Sequence, residues 1–149
     1  MTAIAVIVRL WEELRRHGAQ TIEVIENARC WEFQVNEHEY SVRQTFNHTV
    51  QAIFEDAGNW FLNDSTRFSP SQLPKADLNR AIDRMIDAIK DFSDDKLSMA
   101  FTFQWGEHST VEGAILQNLF HAIGHFSQLR NWVGIHRRTQ KQQATKTYL

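Results

Sequence analysis

Ser109-Thr110-Val111-Glu112-Gly113-Ala114-Ile115-Leu116-Gln117-Asn118-Leu119-Phe120-His121-Ala122-Ile123-Gly124-His125-Phe126-Ser127-Gln128-Leu129 is the stretch on which the fold turns. Ser109, with Glu112 three residues on, has the form of a capping box that starts a helix. Ile115, Leu116, Leu119, Ile123, Phe126, Leu129 and Trp132 recur at the helical period, and Gly134 reads as the stop. Between these apolar positions runs a polar line of Asn118, His121, His125 and Gln128. Polar groups on a helix that should be largely buried need partners.

Three further helices precede this one. Ile4, Ile7, Trp11, Leu14, Gly18, Ile22, Ile25 and Ala28 mark one face of a helix from about Ala3 to Ala28, with Gly18 a weak point inside it. Ser41 and Gln44 form a capping box, followed by the stripe Val42, Phe46, Val50, Ile53, Ala57 and Trp60. Leu78, Ile82, Met85, Ile86, Ile89 and Phe92 make the third stripe. The loop from Asn63 to Pro74 holds both prolines of the chain, Pro70 and Pro74. Leu97, Met99, Phe101, Phe103 and Trp105 alternate at the strand period. A strand with no visible partner is expected here as an extended connector rather than part of a sheet. The pattern predicts an all-α four-helix bundle with one long crossover and that connector before the last helix.

The chain has 149 residues, the size of one domain with a core large enough to need no disulfide or metal for folding. Sixteen basic and 18 acidic residues argue against a nucleic-acid binder. The longest apolar run, Ile4 to Val8, is too short for a membrane span and lacks the frame of a signal peptide. One cysteine, Cys30, excludes an internal disulfide and fits a reducing compartment, so a cytoplasmic protein is expected. We divide the chain into a helical body, residues 1–138, and a polar basic tail, 139–149. From His136 onward there are four basic residues and no acid against a total of −2, so the remainder carries −6. Such an end reads as frayed, with an acidic contact surface the other reading.

The candidate chemistry lies in the histidines. His17, His38, His108 and His136 fall in charged or loop contexts and read as solvated. His121 and His125 stand four apart, so their rings project from one helix face and can converge on an ion. HxxxH is a short and common pattern, and spacing alone favours core histidines bonded to carbonyls or to Asn118 and Gln128. His48 is the candidate third ligand, but it lies off the Val42/Phe46/Val50 stripe beside Thr45, Ala52, Glu55 and Asn59. That face suits solvent or the wall of a cavity, and periodicity does not choose.

Ser41-Val42-Arg43-Gln44-Thr45-Phe46-Asn47-His48, with an aromatic at Trp60, resembles the helix-two motif of the DinB-like family. Leu119 to Leu129 resembles that family's final-helix signature, HxxxHxGQL, with Ser127 where the family usually has glycine. Trp105-Gly106 and Ser109 to Gly113 also fall where such proteins place them, so the resemblance runs to about Arg138. It implies a four-helix bundle holding a divalent metal on His48, His121 and His125. Bacillithiol S-transferases and mycothiol-dependent maleylpyruvate isomerase are similar in fold and ligand set. The family's link to DNA damage concerns induction and implies no DNA binding.

Three imidazoles without thiolate or carboxylate would leave an ion its full charge and an open position, the catalytic rather than the structural pattern. Imidazole suits zinc, nickel, copper and iron alike. Zinc is expected, with nickel, iron or manganese as the other candidates. A thiol at such an ion is deprotonated, and a water has its pKa lowered to roughly 7. The expected partners are therefore a small thiol and an electrophilic small molecule, with no nucleic acid or membrane and a homodimer as the candidate assembly. The expected function is metal-dependent thiol transfer of the bacillithiol type. The alternative is a metal-binding stress or interaction protein without turnover. Gln128 and Glu55 are candidate supports to the ligands; Gln128 is equally readable as a surface glutamine, and Glu55 reads rather as a solvated helix carboxylate. Cys30 reads as packing.

Overall fold

The computed structural model describes residues 1–147 and is mostly helical. Helix α1 spans Ala3–Ala28, capped by the Thr2 hydroxyl, which accepts from the Ala5 amide, and closed by Arg29 in the left-handed region at φ 52. Helix α2 spans Val42–Ala57 and opens with the expected box: Ser41 Oγ accepts from the Gln44 amide while Gln44 Oε1 accepts from the Ser41 amide. A π-helical turn, Gly58–Leu62, extends α2. Helix α3, Pro74–Ile89, takes its proline at the first turn, where no amide donor is missed. A short α4, Asp94–Leu97, precedes strands β1, Ala100–Thr102, and β2, His108–Thr110, and then α5, Val111–Thr147.

Each long helix packs on two others, α1 and α2 both lying against α3 and α5. Helices α1 and α5 run the same way: His17 meets Phe126 and Thr21 meets Arg130. Helix α2 runs against α5, with Phe46 beside Phe126 and Ala52 beside Asn118. Trp11, Phe46, Ile53, Leu78, Met85, Phe126 and Leu129 fill the centre. Gly18 is not a weak point. A Cβ there would come within 2.9 Å of Leu78 Cδ2 and 3.1 Å of Phe126 Cε2, so the missing side chain lets three helices close on one another.

Three other expectations are corrected. The extended stretch does have a partner: Ala100, Phe101 and Thr102 pair antiparallel with Thr110, Ser109 and His108, and Leu97 belongs to α4 instead. Phe101 and Phe103 of this hairpin pack edge-on against Trp60, which gives two short strands an apolar support. Ser109, taken up by the strand, does not cap α5. Thr110 does, its Oγ1 accepting from the Gly113 amide at 3.0 Å.

Helix α5 passes through Gly134 and continues to Thr147, so the supposed frayed tail is helical as far as it is described; residues 148 and 149 lie outside the described residues. No proline follows Pro74, and Arg137, Arg138, Gln140, Lys141 and Ala144 are strong helix formers, so one glycine costs about 1 kcal/mol without stopping the helix. Among the described residues no helix is long and apolar enough to cross a membrane.

Candidate metal centre

Helix α2 supplies His48 and α5 supplies His121 and His125, and packing brings the three rings together. One nitrogen from each lies within 4.8 Å of the others. Ring centroids are 5.4 Å apart for His48 and His121, 5.2 Å for His48 and His125, and 4.5 Å for His121 and His125. The three planes cross at 74° to 90°, the splay needed for nitrogens to aim at one point rather than stack. His121 Nε2 and His125 Nε2 are 3.1 Å apart. A tetrahedral ion with metal–nitrogen bonds of about 2.0–2.1 Å separates its ligand nitrogens by roughly 3.3 Å. The His121–His125 pair is close to that spacing, and the three residues together lie near enough to hold a metal ion.

The three histidines sit at the open edge of the α2–α5 seam, His48 and His121 exposed and His125 half-buried. Enough water is nevertheless displaced to push the His48 and His121 pKa values below the ordinary 6.5, burial acting first and the neighbouring His125 second; His48 adds further to the shift at His121. Both are thus biased to the neutral, ligating form. His125 Nδ1 meets Gln128 Oε1 at 3.1 Å. An acceptor in that place would hold the proton on Nδ1 and leave the Nε2 lone pair toward the other rings. Gln128 therefore bonds one of the three candidate ligands, whereas a solvated side chain was the other reading.

Glu55 is not. Its carboxylate accepts from the Phe68 amide at 3.2 Å and pairs with Arg67 at 3.3 Å, on the side of the 63–73 loop. Asn118 bonds no histidine either; its Nδ2 donates to Asp56 Oδ2 at 2.7 Å and lies 3.5 Å from the Ala52 carbonyl oxygen. Asp56 escaped the sequence reading. The signal was its place two turns beyond His48, opposite an asparagine one turn before His121. Burial pushes its carboxyl up to about 6, against the lowering effect of the Asn118 bond.

Of the histidines read as solvated, His38 and His108 are exposed. His17 and His136 are half-buried, each with Nε2 enclosed and unpartnered. His17 packs edge-on to Phe126 where α1 meets α5, and His136 to Phe33 of the segment between α1 and α2. Cys30 is 2% exposed, and burial raises its thiol pKa, as expected of packing. No family model, curated protein or solved structure matches the chain.

Proposed function

We propose that the chain is a four-helix bundle of the DinB-like kind that holds one divalent transition metal, zinc in the first place, on His48, His121 and His125. The carrying observation is the convergence of three imidazole nitrogens from two helices within 4.8 Å. When bound, such an ion supplies the Lewis acidity that keeps a small thiol as thiolate at neutral pH. The protein's own part is then to present three neutral imidazoles, to fix the His125 tautomer through Gln128, and to leave one side of the site open. The exposure of His48 and His121 provides that opening. A low-molecular-weight thiol attacking a soft electrophile is the reaction class this site serves, with Cys30 uninvolved.

Metal analysis tests the ligand set. Wild type should carry about one ion per chain, and His48→Ala should lose most of it, because two imidazoles hold an ion far less tightly than three. Stoichiometric metal in His48→Ala would refute the triad. Accelerated conjugation of a bacillithiol-type thiol, abolished by His125→Ala, tests turnover. Metal bound without acceleration by any thiol would favour the non-catalytic reading.

A further inference from the structure

A cavity of about 460 Å³ lies between the π-helical turn that ends α2 and the β1–β2 hairpin. Asn59 and Trp60 of the turn and Phe101, Thr102 and Gln104 of the hairpin line it. Eleven residues separate Asn59 from His48, about 16 Å along the helix, so this is a different place on the protein from the histidines. Its size is that of a small-molecule pocket, and π-turns recur at functional sites. Gly58 permits the turn, since a Cβ there would collide with the Asp64 carbonyl and the Arg84 guanidinium.

The lining narrows the ligand. Of the whole chain 23% is charged, yet none of these five residues is. The groove on α3 presents Arg80 and Asp83 by contrast, and the one around Cys30 presents Glu26 and Arg29. An uncharged lining gives no ion partner to a phosphate, a carboxylate or an ammonium. It gives amides and aromatic rings instead. The Trp60 indole N–H donates to Gln104 Oε1 at 3.2 Å. Indole is a donor only, so oxygen faces it and the Gln104 NH₂ group is left to donate elsewhere. Asn59 is exposed and its amide bonds no other described residue, so it offers a donor and an acceptor side by side. Phe61, Phe101 and Phe103 meet the Trp60 ring at 69° to 80°, so among the described residues no ring lies flat against the indole.

A flat, neutral heterocycle with a donor next to an acceptor on its edge meets all of these groups together. An asparagine amide matches the adenine edge in this way, and aromatic side chains take the face of a base. A saccharide is served less well, because the charged acceptors that bond hydroxyls most strongly are missing from the lining. We propose that this cavity binds a neutral purine, as free base or nucleoside, stacked on Trp60, with Asn59 on its edge and Gln104 donating to a further ring acceptor. The site is independent of the metal reading.

Adenosine is titrated into the full, isotopically labelled chain with a chelator present throughout, so that no histidine-bound metal takes part. The indole N–H resonance missing from Trp60→Phe reports on the site. Adenosine should move it saturably, and Asn59→Ala and Gln104→Ala should each weaken binding about three- to tenfold, the scale of one lost hydrogen bond. Adenosine 5′-monophosphate should bind no more tightly than adenosine. Asn59 is exposed, so its variant should keep the fold, and Gln104→Ala carries the test if it does not. A Trp60 resonance unmoved by adenosine would overturn the proposal, as would wild-type affinity in the folded variants. Tighter binding of the monophosphate, or an equal shift by methyl glucoside, would overturn the ligand class.

Discussion

Replacing Gln128 by leucine should weaken metal binding without touching a ligand. In the structure Gln128 Oε1 lies 3.1 Å from His125 Nδ1, where an acceptor would hold the proton and leave the Nε2 lone pair facing His121 Nε2, also 3.1 Å away. Leucine keeps the side chain's bulk but removes the acceptor, so the ring can turn and can take the other tautomer. Loss of such a support costs 10–100-fold in metal affinity, or about 1.4–2.7 kcal/mol. Competition against a chromophoric zinc chelator at fixed pH measures it directly. Gln128 is half-buried at the edge of the seam, so the metal-free variant should unfold within a few degrees of wild type. Gln128→Glu, which keeps an acceptor at the same place, should retain wild-type affinity or exceed it. Wild-type affinity in Gln128→Leu would mean that α5 alone orients His125, and the role given to Gln128 would be wrong.

Asp56→Asn should stabilise the metal-free protein at pH 7.5. A carboxyl raised from 3.8 to about 6 makes the folded state bind more protons than the unfolded one across that window, so stability falls as pH rises through it. Two units set a ceiling of about 3 kcal/mol, and solvent screening at a partly exposed group reduces it to about 1 kcal/mol. Urea titrations should show this gain vanish near pH 4; a gain independent of pH would point to packing instead. Gly18→Ala should destabilise by about 1 kcal/mol, overpacking against Leu78 and Phe126 outweighing the helix propensity gained, and an increase in the denaturation midpoint would contradict the close approach. Gly134→Ala should stabilise by roughly 0.5–1 kcal/mol, since its Cβ would meet only Arg138 Nη1 at 3.4 Å; a loss of stability in urea titrations would restore Gly134 as a stop, where a left-handed backbone strains alanine.

Features that depend on neighbours along the chain were legible from the residues. The bounds of α1, the Ser41–Gln44 box and the shared face of His121 and His125 follow from helical geometry, in which residues three and four apart meet whatever surrounds them. Features that depend on what lies across the molecule were not. His48 sits on the solvent side of its own helix stripe, and only the antiparallel docking of α2 on α5 turns that edge toward His121 and His125. The same docking pairs Asp56 with Asn118 and turns Glu55 away, although the two acids are adjacent in sequence; one residue is a rotation of 100° about a helix, enough to move a side chain from one neighbour to another. Gly18 shows the reverse error: its cost is local and visible, but the close approach that uses it involves Leu78 and Phe126, far along the chain. Local geometry thus determined most of the long helices and the shared face of His121 and His125. The third ligand and the carboxylate beside it were decided by which helix faces meet, because burial of the whole core, not any one segment, sets that arrangement.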